Sequence, residues 1–225
     1  MTAPPGPRSS QIRSSRPLRI VGLDLAGSPG RPTGCCVLVG AMAVHASVAF
    51  ADTEVRSLAT SARPDLIIVD APLSRPRGRR TIEDRSGPHL RACDRELLRR
   101  RIRFFPLTLG PMRMLTERGM RLAAEFIGRG FEVVEGYPGA SQDLLGIPRK
   151  QAGVERLRRG LLRLGLRGDL LGKRLSHDEL DAIAIAWVGR QHLLGRTLVI
   201  GDPGEGLMIL PAPRERGTEP RTRSR

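Results

Sequence analysis

Lysine, aromatic residues, cysteine and long apolar runs are all scarce in this sequence. Only two of the 38 Lys and Arg side chains are lysines, so arginine carries almost all of the positive charge behind the net value of +15. Aromatic residues make up 3% of the chain, which leaves Leu, Val, Ile and Ala to fill the core. The apolar content of 40% is still enough for a sizeable core, and 225 residues predict one domain.

The few cysteines and the short apolar runs exclude several classes of protein. Cys35 and Cys36 are adjacent and Cys93 stands alone, so no metal-binding spacing such as C-x-x-C occurs. No apolar run approaches the length of a membrane helix. Residues 1–17 contain no apolar segment of a secretory signal. We therefore expect a reducing, cytoplasmic location, with a disordered basic leader over residues 1–17 and a disordered basic tail over residues 212–225.

Three short apolar runs, each predicted to be a buried strand, carry one acid near their end. Asp24 lies in the run LRIVGLDLAG, Asp70 in LIIVDAP and Glu135 in FEVVEGYP. A carboxylate in an apolar strand is costly unless a partner compensates its charge. Asp24 and Asp70 could each be simple turn residues. Three strand ends that each present an acid nevertheless predict a carboxylate cluster.

Two further acids lie at the start of a predicted helix, in the segment SHDELDAIAIA. Ser176 and Glu179 match a capping box, which gives Glu179 a structural role. Asp178 and Asp181 are three residues apart, so they share one face of this helix and are candidates to join the cluster. His177 could assist proton transfer, although a lone histidine in a first helical turn is more often structural.

The order of the predicted elements favours an α/β fold. Three consecutive strands are followed by the helix DTEVRSLATSA and by the strand that ends at Asp70, which is the opening of the RNase H-like fold. We expect one such domain over residues 18–211, with a central mixed five-stranded sheet and helices on both faces. Helical spacing predicts further helices over residues 90–103, 112–128 and 151–166, and the end of the chain predicts a hairpin, TLVIGDPGEGLMILP.

The excess positive charge of the chain body is concentrated in residues 74–103, which carry eleven Arg against four acids. This Arg-rich loop and helix insertion follows the strand of Asp70, and such a patch would neutralise phosphates. The alternatives are a solvated helix face and an arginine bias from a GC-rich genome, with Arg91 and Asp94 forming a surface pair. The candidate nucleic-acid contacts are Arg75, Arg77, Arg79, Arg80 and Arg91.

Carboxylates with few His or Cys nearby select hard cations such as Mg²⁺ or Mn²⁺. A cation is also needed because like charges at close range repel. Two ions about 4 Å apart can clamp the attacking and leaving oxygens of a phosphoryl displacement. The candidate metal ligands are Asp24, Asp70, Asp178 and Asp181, and Glu135 is added to them as a candidate catalytic residue.

An ordered set of motifs resembles a family of predicted nucleases with an RNase H-like fold. The motifs are GLDLAG with RPTG, IIVDAPL, RACDRELLR, VVEGYPG, HDELDA and GEGLMILP. The helix motif is also similar to the last motif of RuvC-type junction resolvases, which place two acids three residues apart. The resemblance implies nuclease activity with Asp24 as the first metal ligand. It implies that Asp70 or Glu135 supplies the middle acid and that Asp178 and Asp181 supply the last ones.

Three functions compete on this evidence. The first is a nuclease that uses two Mg²⁺ or Mn²⁺ ions on DNA or RNA, for which resolvase-like chemistry would favour a homodimer. The second is a non-catalytic nucleic-acid-binding protein. The third is a phosphotransferase or ATPase of the actin and sugar-kinase class, although the chain lacks G-K-[ST] and supplies one domain. Because aromatic residues are scarce, we expect recognition of nucleic-acid shape or backbone.

Overall fold

A mixed sheet organises the computed structural model, which describes residues 16–40, 43–84 and 86–212. Its order across the sheet is β6-β3-β2-β1-β4-β5-β8-β7. The central strand β1 pairs antiparallel with β2 and parallel with β4. The strands are β1 (Arg19–Asp24), β2 (Thr33–Val39), β3 (Ala43–Ala49), β4 (Leu66–Asp70), β5 (Val133–Gly136), β6 (Arg167–Gly168), β7 (Thr197–Asp202) and β8 (Gly206–Pro211).

Helices cover both faces of the sheet because side chains of the central strands alternate between two cores. In β4, Ile68 packs into the core that α5 and α7 share, whereas Ile67 and Val69 pack into the core of α1 and α3. A short 3-10 turn, Lys150–Ala152, connects α4 to α5. The helices are α1 (Asp52–Ser61), α2 (Ala92–Arg99), α3 (Gly110–Gly128), α4 (Pro138–Leu145), α5 (Val154–Arg163), α6 (Asp169–Gly172) and α7 (His177–Leu193).

The RNase H-like α/β fold is confirmed, but the sheet is wider than the five strands predicted. Strands β3, β2, β1, β4 and β5 form the expected centre. The predicted final hairpin, β7 and β8, extends this sheet because β8 pairs parallel with β5. An isolated hairpin is only marginally stable, so pairing with a larger sheet stabilises it. Residues 1–15 of the predicted leader and residues 213–225 of the predicted tail lie outside the described residues.

Helix α2 is shorter than the sequence predicts, and α4 and α6 are absent from the prediction. The helix expected over residues 90–103 ends at Arg99, because Arg101 adopts a left-handed φ of 60° that breaks the helical path. Helix α4 was not predicted at all. Its local signals are nevertheless present, since Pro138 lies in its first turn and Gly146 follows its end with a left-handed φ of 64°.

Cys35, Cys36 and Cys93 are all free and buried. Burial raises the pKa of the Cys35 and Cys93 thiols to about 12, so neither is an activated nucleophile. Within residues 16–40, 43–84 and 86–212, no helix is long and apolar enough to cross a membrane.

Helix α7 lies unusually close to the sheet, because glycine occupies two of the points where they meet. A Cβ at Gly22 in β1 would collide with the carbonyl oxygen of Ala182. A Cβ at Gly34 in β2 would collide with the backbone of Asp178 in the same way. The two glycines therefore determine how near the acids of α7 come to the ends of the strands.

We expect Gly22→Ala to lower the free energy of unfolding by about 1–3 kcal/mol or more, because it overpacks the contact between β1 and α7. Gly128→Ala is the matched control, since a Cβ there meets no atom within 4 Å. Urea unfolding followed by circular dichroism measures both. Equal stability of the two variants would contradict the close-packing role of Gly22.

Candidate active site

Asp24 and Asp70 end two neighbouring parallel strands. The register of β1 and β4 places the two residues directly opposite each other. The carboxyl ends of parallel strands meet at one edge of a sheet, where α/β proteins form their sites. Both residues retain some solvent exposure. The sheet thus brings together two acids that are 46 positions apart in the sequence.

Asp181 reaches the same place from α7. Its side chain is 5% exposed, and both of its oxygens have partners. Gln142 Nε2 donates to Asp181 Oδ1 at 2.6 Å. The Lys150 ammonium lies 3.0 Å from Asp181 Oδ2. Asp181 is therefore held in one orientation by an amide on α4 and a cation on the 3-10 turn.

The three acids act on one another electrostatically. Burial, followed by the charge of Asp181, raises the pKa of Asp70 to about 7. Burial and then the charges of Asp70 and Asp181 raise the pKa of Asp24 well above its usual range. Lys150 opposes both increases. Burial is thus the first cause of both shifts, and the neighbouring acids add to it while Lys150 acts against it.

Asp178 lies at the rim of this cluster. It is partly exposed in the first turn of α7, and its charge makes a smaller contribution to the raised pKa of Asp24. The neighbouring His177 is exposed. The structure therefore groups Asp24, Asp70 and Asp181 closely and places Asp178 beside them.

Glu179 has the structural role that the sequence predicted. The Ser176 Oγ accepts the Glu179 N–H at 3.1 Å, and Glu179 Oε2 accepts the Ser176 N–H at 2.9 Å. The Lys173 ammonium lies 3.2 Å from Glu179 Oε1. The predicted capping box is thus confirmed, and it fixes where α7 begins.

Glu135 belongs to a different arrangement, a buried ion cluster of Arg91, Asp94 and Glu135. Arg91 Nη1 and Nη2 donate to the two Glu135 oxygens at 2.7 Å each. Arg91 also donates to both oxygens of Asp94, at 3.0 and 3.1 Å. The carboxylate of Glu135 is paired with this guanidinium, lines the same cavity as Asp70 and stays a predicted catalytic residue.

The predicted nucleic-acid contacts divide into buried and exposed arginines. Arg91 is 2% exposed and Arg79 is 6% exposed, so neither is available at the surface. Arg79 donates to the carbonyls of Ile82, Asp84, Gly87 and Pro88, as a loop without regular structure requires. The exposed members of the predicted set are Arg75, Arg77 and Arg80.

A cavity of about 240 Å³ adjoins the acids. Its lining combines the charged side chains of Asp70, Asp181 and Lys150 with apolar side chains that include Phe104 and Phe105. Phe105 is 72% exposed, the largest value among the exposed large apolar residues of the described chain. A charged site and an apolar wall therefore face the same space.

The potential ligand atoms of Asp24, Asp70 and Asp181 are all carboxylate oxygens, which are the ligands that hard cations prefer. Within the described residues, however, no three Asp, Glu, His or Cys side chains surround a common point as metal ligands. Binding of Mg²⁺ or Mn²⁺ by Asp24, Asp70 and Asp181 would therefore require their side chains to reorient.

Comparison with known proteins assigns the family. The family described as "Protein of unknown function (DUF429)" matches residues 22–205. The protein is a member of the DUF429 family. This match confirms the family resemblance indicated by the ordered motifs. No curated protein matches the chain of this DUF429 protein.

Two solved structures have a backbone fold similar to that of the DUF429 protein. One is RuvC from Thermus thermophilus, at 16% identity and a TM-score of 0.45. The other is T. thermophilus RuvC in complex with a Holliday junction substrate, at 15% identity and a TM-score of 0.47. Each comparison covers 79% of the DUF429 chain and 97% of the RuvC chain. At these values the likeness bears on neither the activity nor the substrate of the DUF429 protein.

Sequence reasoning missed two residues of the DUF429 site, Gln142 and Lys150. Gln142 lies in α4, the helix that was not predicted, and nothing in its neighbourhood in the sequence marks it. Lys150 carried a weak signal, because it is one of only two lysines in an arginine-rich chain. Neither residue could be identified as a partner of the Asp181 carboxylate before the fold was known.

We expect Arg91→Met to destabilise the DUF429 protein by about 3–5 kcal/mol, because it leaves two buried carboxylates without their cation. The matched control is Arg99→Met in α2, the helix that Arg91 precedes; the Arg99 side chain is 71% exposed and pairs with Glu96 at the surface. That change should cost at most about 1 kcal/mol. Urea denaturation measures both, and equal losses would rule out the buried cluster as a source of stability.

The raised pKa of Asp70 predicts a pH dependence of stability. This carboxyl titrates at about 7 in the folded protein and near its ordinary 3.8 when unfolded. Between these values the folded state binds more protons, so the free energy of unfolding falls as pH rises. Asp70→Asn should remove the contribution of Asp70 to this fall in the free energy of unfolding. Glu155→Gln is the control, because Glu155 is a 64% exposed acid of α5, and it should leave the fall unchanged. Parallel pH profiles of wild type and Asp70→Asn, measured by urea unfolding in a chelator, would contradict this.

Proposed function

We propose that the DUF429 protein is a divalent-metal-dependent nuclease that hydrolyses phosphodiester bonds of nucleic acid. The supporting observation is the convergence of Asp24, Asp70 and Asp181 at one edge of an RNase H-like sheet. Their mutual repulsion is compensated only in part by Lys150, which favours the binding of a further cation. Carboxylates without sulfur or imidazole ligands select Mg²⁺ or Mn²⁺.

The three acids would hold the metal, with Asp24 and Asp70 approaching from the strands and Asp181 from the helix. When bound, the ion would polarise the phosphate and lower the pKa of a water molecule. Gln142 orients Asp181 through the 2.6 Å hydrogen bond to Oδ1. Asp178, at the rim, is proposed as a supporting acid.

The surroundings of the acids favour a nucleic acid over a small phosphate ester. Arg75, Arg77 and Arg80 are exposed on the loop that follows β4, where they can neutralise phosphates. The apolar wall of the adjoining cavity, with Phe105 exposed, can accept the face of a base. The two-ion stoichiometry, the homodimer and the cytoplasmic location remain predictions from the sequence.

The competing function is non-catalytic binding of nucleic acid. It is favoured by the finding that no three potential ligands among the described residues are arranged around a metal position. Such a protein would use the exposed arginines alone. Its binding would fall steeply with salt and would not need the acids.

Cleavage assays distinguish the two functions. Labelled single-stranded, duplex, hybrid and junction substrates are incubated with the protein in Mg²⁺, Mn²⁺ or EDTA. We expect metal-dependent cleavage that Asp24→Asn lowers by about 100-fold or more, since even indirect changes at metal sites cost about 10–100-fold. The surface control Glu155→Gln should cleave at the wild-type rate.

Two other results would reject the nuclease. Salt-sensitive binding that persists in Asp24→Asn, without cleavage under any condition, would establish the binding protein. The absence of both binding and cleavage would reject both functions and would redirect the search to nucleotides.

A further inference from the structure

Lys150 occupies the position beside Asp181 where a metal ion would otherwise be expected. Its ammonium lies 3.0 Å from Asp181 Oδ2, while Gln142 occupies Oδ1. The pair is asymmetric in exposure, because the Lys150 side chain is 43% exposed and that of Asp181 is 5% exposed. The ammonium therefore enters from the solvent side and ends at a buried carboxylate.

The charge of Lys150 is not confined to this one partner. The acids that act on its ammonium are Asp181 first, followed by Asp24 and Asp70. One cation is thus shared by the three carboxylates proposed as metal ligands. With Asp178 at the rim, the cluster holds four carboxylates, and one divalent ion together with this ammonium would offset three of their four negative charges.

The choice of lysine is informative in a chain that otherwise uses arginine. Only two of the 38 Lys and Arg side chains are lysines. Lysine presents a compact point charge, whereas the guanidinium of arginine is a broad planar fork. An ammonium can take a position of the size of an ion beside one carboxylate oxygen, whereas the guanidinium of Arg91 spreads its donors over both oxygens of Glu135 and of Asp94.

We propose that Lys150 is a built-in cation of the acid cluster, so that the site binds one divalent ion instead of the two that the sequence predicted. This inference rests on the proposed metal-dependent function. It makes Lys150 a positioning residue that neutralises Asp181 and keeps a second ion from that oxygen. The remaining ion is held mainly by Asp24 and Asp70.

The number of bound ions tests the proposal without any substrate. Mn²⁺ is titrated into the full-length protein, and free Mn²⁺ is measured by electron paramagnetic resonance. We expect one ion per wild-type chain and two per chain in Lys150→Met, because the position beside Asp181 Oδ2 becomes vacant. Lys150→Gln, which keeps a polar side chain, should also bind two ions.

The other lysine of the chain provides a matched control. Lys173 is also 43% exposed and also pairs with a buried carboxylate of α7, Glu179 at 3.2 Å, but outside the acid cluster. Lys173→Met should therefore bind one ion, as the wild type does. Thermal unfolding of each variant shows that the measured chains are folded.

Each remaining outcome has a distinct meaning. Two ions in the wild type, or one ion in both Lys150 variants, would overturn the role of Lys150 and leave the proposed nuclease standing. No bound Mn²⁺ in the wild type or in either variant would overturn the metal-dependent function itself, and the role of Lys150 with it.

Discussion

The close contact between α7 and the sheet is the constraint on which the site depends. At Gly22 and Gly34 the strands carry no side chain, and the backbone of α7 occupies the space that a Cβ would need. Asp181 lies one residue before Ala182, whose carbonyl faces Gly22. A helix held farther from the sheet would carry Asp181 away from Asp24, so packing and site geometry come from the same contact.

The acids brought together in this way do not stabilise the fold. Burial and mutual repulsion raise the pKa values of Asp24 and Asp70, which means that the charged forms are disfavoured in the folded chain. Destabilised groups of this kind are typical of functional sites. Lys150 offsets part of the repulsion, and a bound divalent ion would offset the rest. The cluster of acids is therefore more consistent with a cation-binding site than with a stabilising element of the fold.

A second charged cluster, formed by Arg91, Asp94 and Glu135, lies beside the acids, because Glu135 is paired with Val69 on the neighbouring strand. Arg91 joins Glu135 at the end of β5 to Asp94 at the start of α2, so it anchors the insertion that follows β4. Arg91 and Glu135 are 44 positions apart in the sequence. From the sequence alone, Glu135 looked equivalent to Asp70, because both acids end a buried strand. The difference between them is the guanidinium, which only the fold brings to Glu135.

The sequence by itself determined most of the elements and the acids at their ends. Short apolar runs, the capping box at Ser176 and the acids at the strand ends are local patterns, and the structure reproduces them because neighbouring residues suffice to specify them. Tertiary structure decided which charges meet: Asp24, Asp70 and Asp181 around Lys150, and Glu135 around Arg91. Such pairings depend on how elements pack across long stretches of chain, and no local pattern encodes that packing.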